Sequence, residues 1–548
     1  MKKILSMILC AVMFAGLVTV PVSAAEPESS QPALLDRILY EIADAAIRGI
    51  AWTVGALIPG RDLPREHDGA NFLPGMDAFL DAPAGNAGWK LGYARATLIP
   101  PGYFDPVTKQ YTGPPDVFVA GGLTGDGQRL LIDRKTPTDL LDDMAVRVTA
   151  LSDGSGRGTV VFASLDTYAL TTTDVRIIRS LLEDYAKANN IISINIASMH
   201  QHSVIDTLGM NAMLLGGLFI NPWNNLFGIF RHHGKNPRYM DFLHNTTADA
   251  IKAAVEAMEP GRLYYGYADA TDFINDKRAP YVFDNEIHRF RFVPSDKNSR
   301  ETWFVNYGVH TVGLGASPRT ITGDYPFYME ERVNSEANAN FQMVQSAISA
   351  ISRNDAGIYV PGGPARTREE AMAAYGHAVG DLLIGISGET AVAPMLNIRH
   401  IEYRMPVDNP LHMLLFRIGM IEAVGVRRHL IGPDIDVITE TAYMELGQNL
   451  AVVFAPGEVD PVLLFGGARP ASQAYRGVDF IFTPLRDMVR GERKTLMFGL
   501  MNDHSGYYEV PNDIQHFVLF GNEEINQSST QSAVSLLVAF EKLTDSVK

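Results

Sequence analysis

Apolar, β-branched runs alternate with amphipathic stretches along most of the chain, the pattern of sheets flanked by helices. Residues 158–165, 191–198, 303–309 and 450–454 read as buried strands. More mixed runs at 263–266, 288–293, 396–405, 436–446 and 495–500 add further strands. Helical spacing covers 171–188, 239–258, 325–337 and 368–383. The first of these helices opens with Thr and Asp residues suited to capping and stops before Asn189-Asn190. The elements begin at about Gly88. They predict an α/β fold of mixed sheets with flanking helices, in one large domain over 88–548.

Three segments stand apart from that pattern. Residues 34–57 have helical spacing, with Leu35, Ile38, Leu39, Ile42, Ala45, Ala46 and Ile50 on one side. Asp36, Arg37, Glu41, Asp44 and Arg48 interrupt it, so it does not span a membrane. It is either a helix packed on the main domain or an amphipathic surface anchor, which would give peripheral membrane contact. Together with the Gly-, Pro- and Asp-rich residues 58–88 it makes an N-terminal helical and linking segment, 25–87. Residues 207–230 carry no charge and many large apolar side chains, broken by Gly216-Gly217 and Pro222. That segment reads as core or as an apolar lip beside a site.

Composition narrows the function classes. Lys2 and Lys3, an apolar run over 4–20 and the small residues Val22-Ser23-Ala24 form a secretory signal over 1–24, so an exported protein is expected: secreted, periplasmic or cell-surface. The only cysteine, Cys10, lies inside it, which leaves no disulfide and no thiolate ligand. The formal net charge is -16 at pH 7, and loss of Lys2 and Lys3 makes it more negative. Such a chain is a poor partner for nucleic acid and for an anionic membrane surface.

The chemistry gathers where strands end. His200 and His202 directly follow the run 191–198, and rings at i and i+2 can share a cleft if the chain leaves the sheet there. His310 ends the run from Trp303, and Glu458 follows 450–456, with Gly457 placed for a sharp turn. A carboxylate just past a buried strand calls for a partner or a cation. A Tyr507-Tyr508 pair follows the last such run. These pieces point to one metal centre with His, carboxylate and phenol donors.

Taken in order, the motifs resemble the neutral/alkaline non-lysosomal ceramidases. Residues 92–100 and 119–122 are similar to that family's opening Gly-rich segments, and 143–147 with 160–166 to its next block. Met199-His200-Gln201-His202-Ser203 is similar to its histidine signature, 305–310 and 317–324 to the two segments after it, Pro456-Gly457-Glu458 to its Pro-Gly-Glu, and 502–507 to its Asn/Gly-Tyr stretch. The resemblance implies zinc (Zn2+) held by His200, His310, Glu458 and Tyr507, with His202 as an acid/base or substrate-positioning residue. It implies hydrolysis of the N-acyl amide of ceramide-like lipids, to fatty acid and sphingoid base, by a zinc-activated water.

The departures are specific. Val204-Ile205-Asp206 replaces Pro-Gly-Gly, and Gln201 stands where Thr is usual. In the serine motif Ser352 and Asn354 remain, but Gly, Asp and Pro are gone, so Ser352 is the candidate catalytic serine. Residues 511–548 are too few for the family's C-terminal immunoglobulin-like domain. Arg147 or Arg319 orients substrate or makes a salt bridge, and Asp166 orients an imidazole or caps a turn. The same scaffold also accommodates a zinc hydrolase of another ester or amide, or a non-catalytic lipid-binding relative.

Overall fold

Both faces of several strands are buried, so these appear in the sequence as apolar runs. The computed structural model describes residues 66–548 except 122–135, 210–234, 316–318, 357, 359–366, 419–420, 429–433 and 516–522, plus scattered positions between 38 and 53. The signal segment and most of the uncharged segment lie outside the described residues.

Eight strands form the spine of a large mixed sheet: β1 (Lys90–Thr97), β2 (Ala145–Ser152), β3 (Thr159–Leu165), β4 (Ile191–Ser198), β5 (Glu259–Asp269), β6 (Glu286–Pro294), β7 (Thr302–Tyr307) and β8 (Asn340–Gln345). Their order is β8-β7-β6-β5-β1-β2-β3-β4. The outer pairs, β3 with β4 and β7 with β8, are parallel, and the inner pairs are antiparallel. A second sheet runs β9 (Leu396–Pro406), β10 (Ile435–Leu446), β11 (Leu450–Phe454) and β13 (Lys494–Phe498). A small parallel pair joins β12 (Glu458–Val459) to β14 (Tyr507–Tyr508).

The sheets pack face to face. Phe162, Phe290 and Phe304 of the first meet Met444, Phe454 and Phe498 of the second in one apolar layer. On the other side of the large sheet lie α1 (Thr172–Leu181) and α2 (Pro237–Glu256), and beside them α3 (Asp324–Glu336) and α4 (Arg368–Ile384). The far face of the second sheet is covered by α5 (Ser532–Asp545) through Leu536, Leu537, Phe540 and Leu543. The result is helix, sheet, sheet, helix, as the mixed-sheet reading expects.

Strands β1, β2 and β8 and helix α5 are absent from the hydropathy reading. The three strands carry polar residues that the fold satisfies internally. Arg147 in β2 is buried against Asp166 and Glu330, and Gln342 in β8 donates to the carbonyls of Arg147 and Phe162. The helix expected over 171–188 breaks at Leu182 into two. The linking segment packs along the second sheet: Met76 N donates to Ile398 O at 2.8 Å, and Leu80 N to Asn397 at 2.9 Å. In the stretch 34–57 the described positions are helical and exposed, and Arg48 donates to the Asp408 carbonyl. Among the described residues no helix is long and apolar enough to cross a membrane.

Candidate metal centre

The chain leaving β13 stitches the ends of the two sheets together. Gly499 N donates to Gln345 O (2.9 Å), Asn502 N to Ile196 O (2.7 Å) and Met501 N to Ala455 O (3.0 Å). The ends of β4, β8, β11 and β13 therefore meet at one place, and the end of β7 lies there too because Tyr307 pairs with Gln345. Gly457 fits there for a reason other than turning: a Cβ on it would sit 2.2 Å from Gly506 O, so only hydrogen lets the two segments close.

Every candidate ligand arrives at this junction. His310 Nε2 lies 2.8 Å from Glu458 Oε2 and 3.3 Å from the Tyr507 hydroxyl. His200 Nε2 lies 3.2 Å from Glu458 Oε2, near enough for an ion pair but off-line for a hydrogen bond. The His202 ring stands edge-on to His200, with centroids 5.0 Å apart. Ligand atoms of His200, His202 and His310 all lie within 4.8 Å of one another, and so do those of His200, Glu458 and His504.

The proton positions test the fit of a cation. His200 Nδ1 is 2.9 Å from Tyr168 O, and His310 Nδ1 is 2.8 Å from Ile351 O. Carbonyls only accept, so each Nδ1 carries the hydrogen, and a neutral ring then turns a bare Nε2 lone pair toward Glu458. Burial pushes the His200 ring below its ordinary value, only partly offset by Glu458, which favours the neutral form. Burial also opposes ionisation of Glu458, yet its ring neighbours, His200 first, outweigh that and hold it well below the usual carboxylate range. A cation between the groups would face Glu458 in place of a ring proton. Donors around one zinc-sized ion with bonds of ~2.0–2.2 Å stand roughly 3.3–3.6 Å apart. The observed separations of 2.8 to 3.3 Å are close to this. The residues present fit a divalent metal, with imidazoles fixed through Nδ1 by backbone carbonyls.

The surroundings hold this arrangement. His200 has φ +64, a left-handed conformation that costs a non-glycine residue on the order of 1 kcal/mol or more. Its backbone N–H donates to Thr167 O, and Tyr168 stacks on its ring with centroids 4.7 Å apart. Between the two histidines, Gln201 Nε2 donates to Asp166 Oδ1 at 2.7 Å, and Asp166 in turn pairs with Arg147. Asp166 thus steadies the loop through Gln201 rather than through an imidazole. Arg147 lies in this buried network and Arg319 donates to the exposed Thr136 carbonyl. Neither arginine's partners are at the ligands.

Both ring nitrogens of His202 are buried and lack a hydrogen-bond partner among the described residues. Burial, and next the charge His200 would carry, hold this ring far below its ordinary value. Ser352 sits one residue beyond Ile351, whose carbonyl orients His310, but its hydroxyl donates to Asn275 O at 3.3 Å. The hydropathy reading passed over His504. Its Nε2 is 3.0 Å from Glu458 Oε1. Its position a few residues past β13, in the motif that holds Tyr507, was the available signal. Beside His504 and Tyr168 opens an apolar cavity of about 80 Å³, lined also by Leu208, Leu411, Leu415 and Phe416.

The architecture has solved counterparts. One is the neutral ceramidase from Pseudomonas aeruginosa, with TM-score 0.58, 13% identity, and coverage of 84% of this chain and 74% of that one. Another is a ceramidase complexed with C2, with TM-score 0.59, 13% identity, and coverage of 84% and 75%. The chain has the fold of the neutral ceramidases. This ceramidase fold is the one the strand-end motifs anticipate. No protein-family model matches the sequence. No curated protein matches it either.

Proposed function

We propose that the chain is a metal-dependent hydrolase that cleaves the N-acyl amide of ceramide-like lipids, with zinc as the metal. The observation that carries this reading is the convergence of two carbonyl-fixed histidines on the ionised Glu458. His200, His310 and Glu458 would hold the ion, with the Tyr507 hydroxyl beside His310. When bound, such a metal acts as a Lewis acid and lowers the pKa of water.

The chain's own groups complete the chemistry. Amide hydrolysis needs a proton removed from the attacking water and one delivered to the leaving nitrogen. His202 offers two buried ring nitrogens that have no hydrogen-bond partner among the described residues, so either is open to take the water proton and pass it to the leaving nitrogen. The Tyr507 hydroxyl is kept protonated by burial and can donate to a developing oxyanion. Leu411, Leu415 and Phe416 line the neighbouring cavity, an environment for a hydrocarbon chain. The signal segment sends the protein out of the cytoplasm, where such lipids are met at a membrane surface.

Protein purified without chelator should contain about one zinc per chain and release fatty acid from N-acylsphingosine. His310→Ala should lose both the metal and the activity. Hydrolysis of ceramide by metal-free protein would overturn the reading. The Ser352 hydroxyl, engaged with Asn275, favours a second reading in which another amide or ester is the substrate. Turnover confined to short water-soluble esters would establish that alternative.

A further inference from the structure

The two oxygens of Glu458 face different surroundings. Oε2 meets His200 at 3.2 Å and His310 at 2.8 Å, the two rings whose Nδ1 atoms are held by carbonyls. Oε1 meets the His504 ring, at 3.0 Å and in hydrogen-bond geometry. Among the described residues, no backbone carbonyl takes up the other nitrogen of His504. Its Nε2 is therefore free to carry the hydrogen and donate it. The His504 ring is stacked nearly parallel to His200, at 15° and 5.6 Å between centroids, and it forms part of the apolar cavity wall. Its side chain is largely shielded from solvent.

We propose that His504 is a positioning residue that keeps Glu458 to one-oxygen ligation. Its Nε2–H holds Oε1, so that only Oε2 is presented to the metal-binding cluster. The inference rests on the metal reading above. A carboxylate freed from this bond can turn both oxygens toward the cluster and add a donor where hydrolysis needs an open position. The role belongs to this chain's histidine at 504, which the expected ligand set of His200, His310, Glu458 and Tyr507 leaves out.

The test is a titration of cobalt(II) into chelator-stripped, full-length protein, followed by visible absorption, a readout of coordination number that does not depend on turnover. In His504→Ala the bands should weaken and shift relative to wild type as a donor is added, with cobalt affinity lowered about tenfold. His504→Gln, whose side-chain amide can donate to the same oxygen, should restore the wild-type bands and an affinity within about threefold. Affinity reduced by more than about 100-fold in both variants would make His504 itself a ligand and overturn the proposal. An alanine variant with the wild-type spectrum would overturn it as well. If the alanine variant does not fold, the glutamine variant decides alone: wild-type bands support the role and lost affinity refutes it. Failure of the wild-type chain to bind cobalt would be a different failure, that of the metal reading.

Discussion

Two buried histidine–carboxylate clusters in this molecule look alike on paper and differ in one respect. In the first, Ser193, His400 and Glu440 stand in the order of a hydrolase triad: the Ser193 hydroxyl is 2.8 Å from His400 Nε2, and His400 Nδ1 is 3.6 Å from Glu440. Arg179 closes on Glu440 with two bonds of 2.9 and 2.7 Å, and all four side chains are sealed inside the protein. That cluster contains its own cation and has no route for a substrate. In the second, Glu458 meets three imidazoles and, among the described residues, no Arg or Lys. A buried carboxylate with a built-in guanidinium is architecture. One that faces imidazoles and a phenol instead leaves room for a cation from outside, the arrangement the proposed function uses.

The comparison can be broken most directly at the two carboxylates. Glu458→Gln should lose its metal and roughly 10³-fold or more of the hydrolytic rate, measured as kcat/KM alongside elemental analysis. Retention of metal with more than a tenth of the activity would erase the distinction. Glu440→Gln should keep the metal and instead lose ~3–5 kcal/mol of unfolding free energy in urea, because Arg179 is left buried and unpaired.

The pH dependence sharpens this second case. Burial alone would raise the Glu440 carboxyl, but Arg179 outweighs it and holds the group far below its ordinary 4.5. A depressed carboxyl contributes stability that is complete above the unfolded value and disappears as pH falls through the folded one. The gap between wild type and Glu440→Gln should therefore be full above pH 4.5 and narrow below it. A gap that widens in acid would contradict the ion pair. The smallest expected effect is that of chelation: stripping metal held at about 100 times its Kd should lower wild-type stability by ~2.7 kcal/mol. Glu458→Gln, with nothing to lose, should not respond.

Much of the site was legible before the fold. His200, His202, His310 and Glu458 each follow a hydrophobic run, and strand period together with strand end is a local signal. Tyr507 was legible only through its motif, since it sits nine residues past Phe498 in a two-residue strand. His504 was passed over for the same reason, and its contact with Glu458 spans 46 positions. β1, β2 and β8 were hidden because Lys90, Arg95, Arg147 and Gln342 break the apolar pattern, although Arg147 and Gln342 are buried with partners.

The amino-acid sequence by itself determined the class of fold and the strands whose ends carry chemistry, because hydrophobic period and residue type are properties of short stretches. Which nitrogen of each ring carries its hydrogen was left to the tertiary structure, since the Tyr168 and Ile351 carbonyls reach His200 and His310 only after neighbouring strands of the large sheet pair. Tertiary packing alone also decided that Arg179 neutralises Glu440 while Glu458 is left to imidazoles. Coulomb and hydrogen-bond energies depend on distances of a few ångströms between residues tens to hundreds of positions apart, and chain folding is what sets those distances.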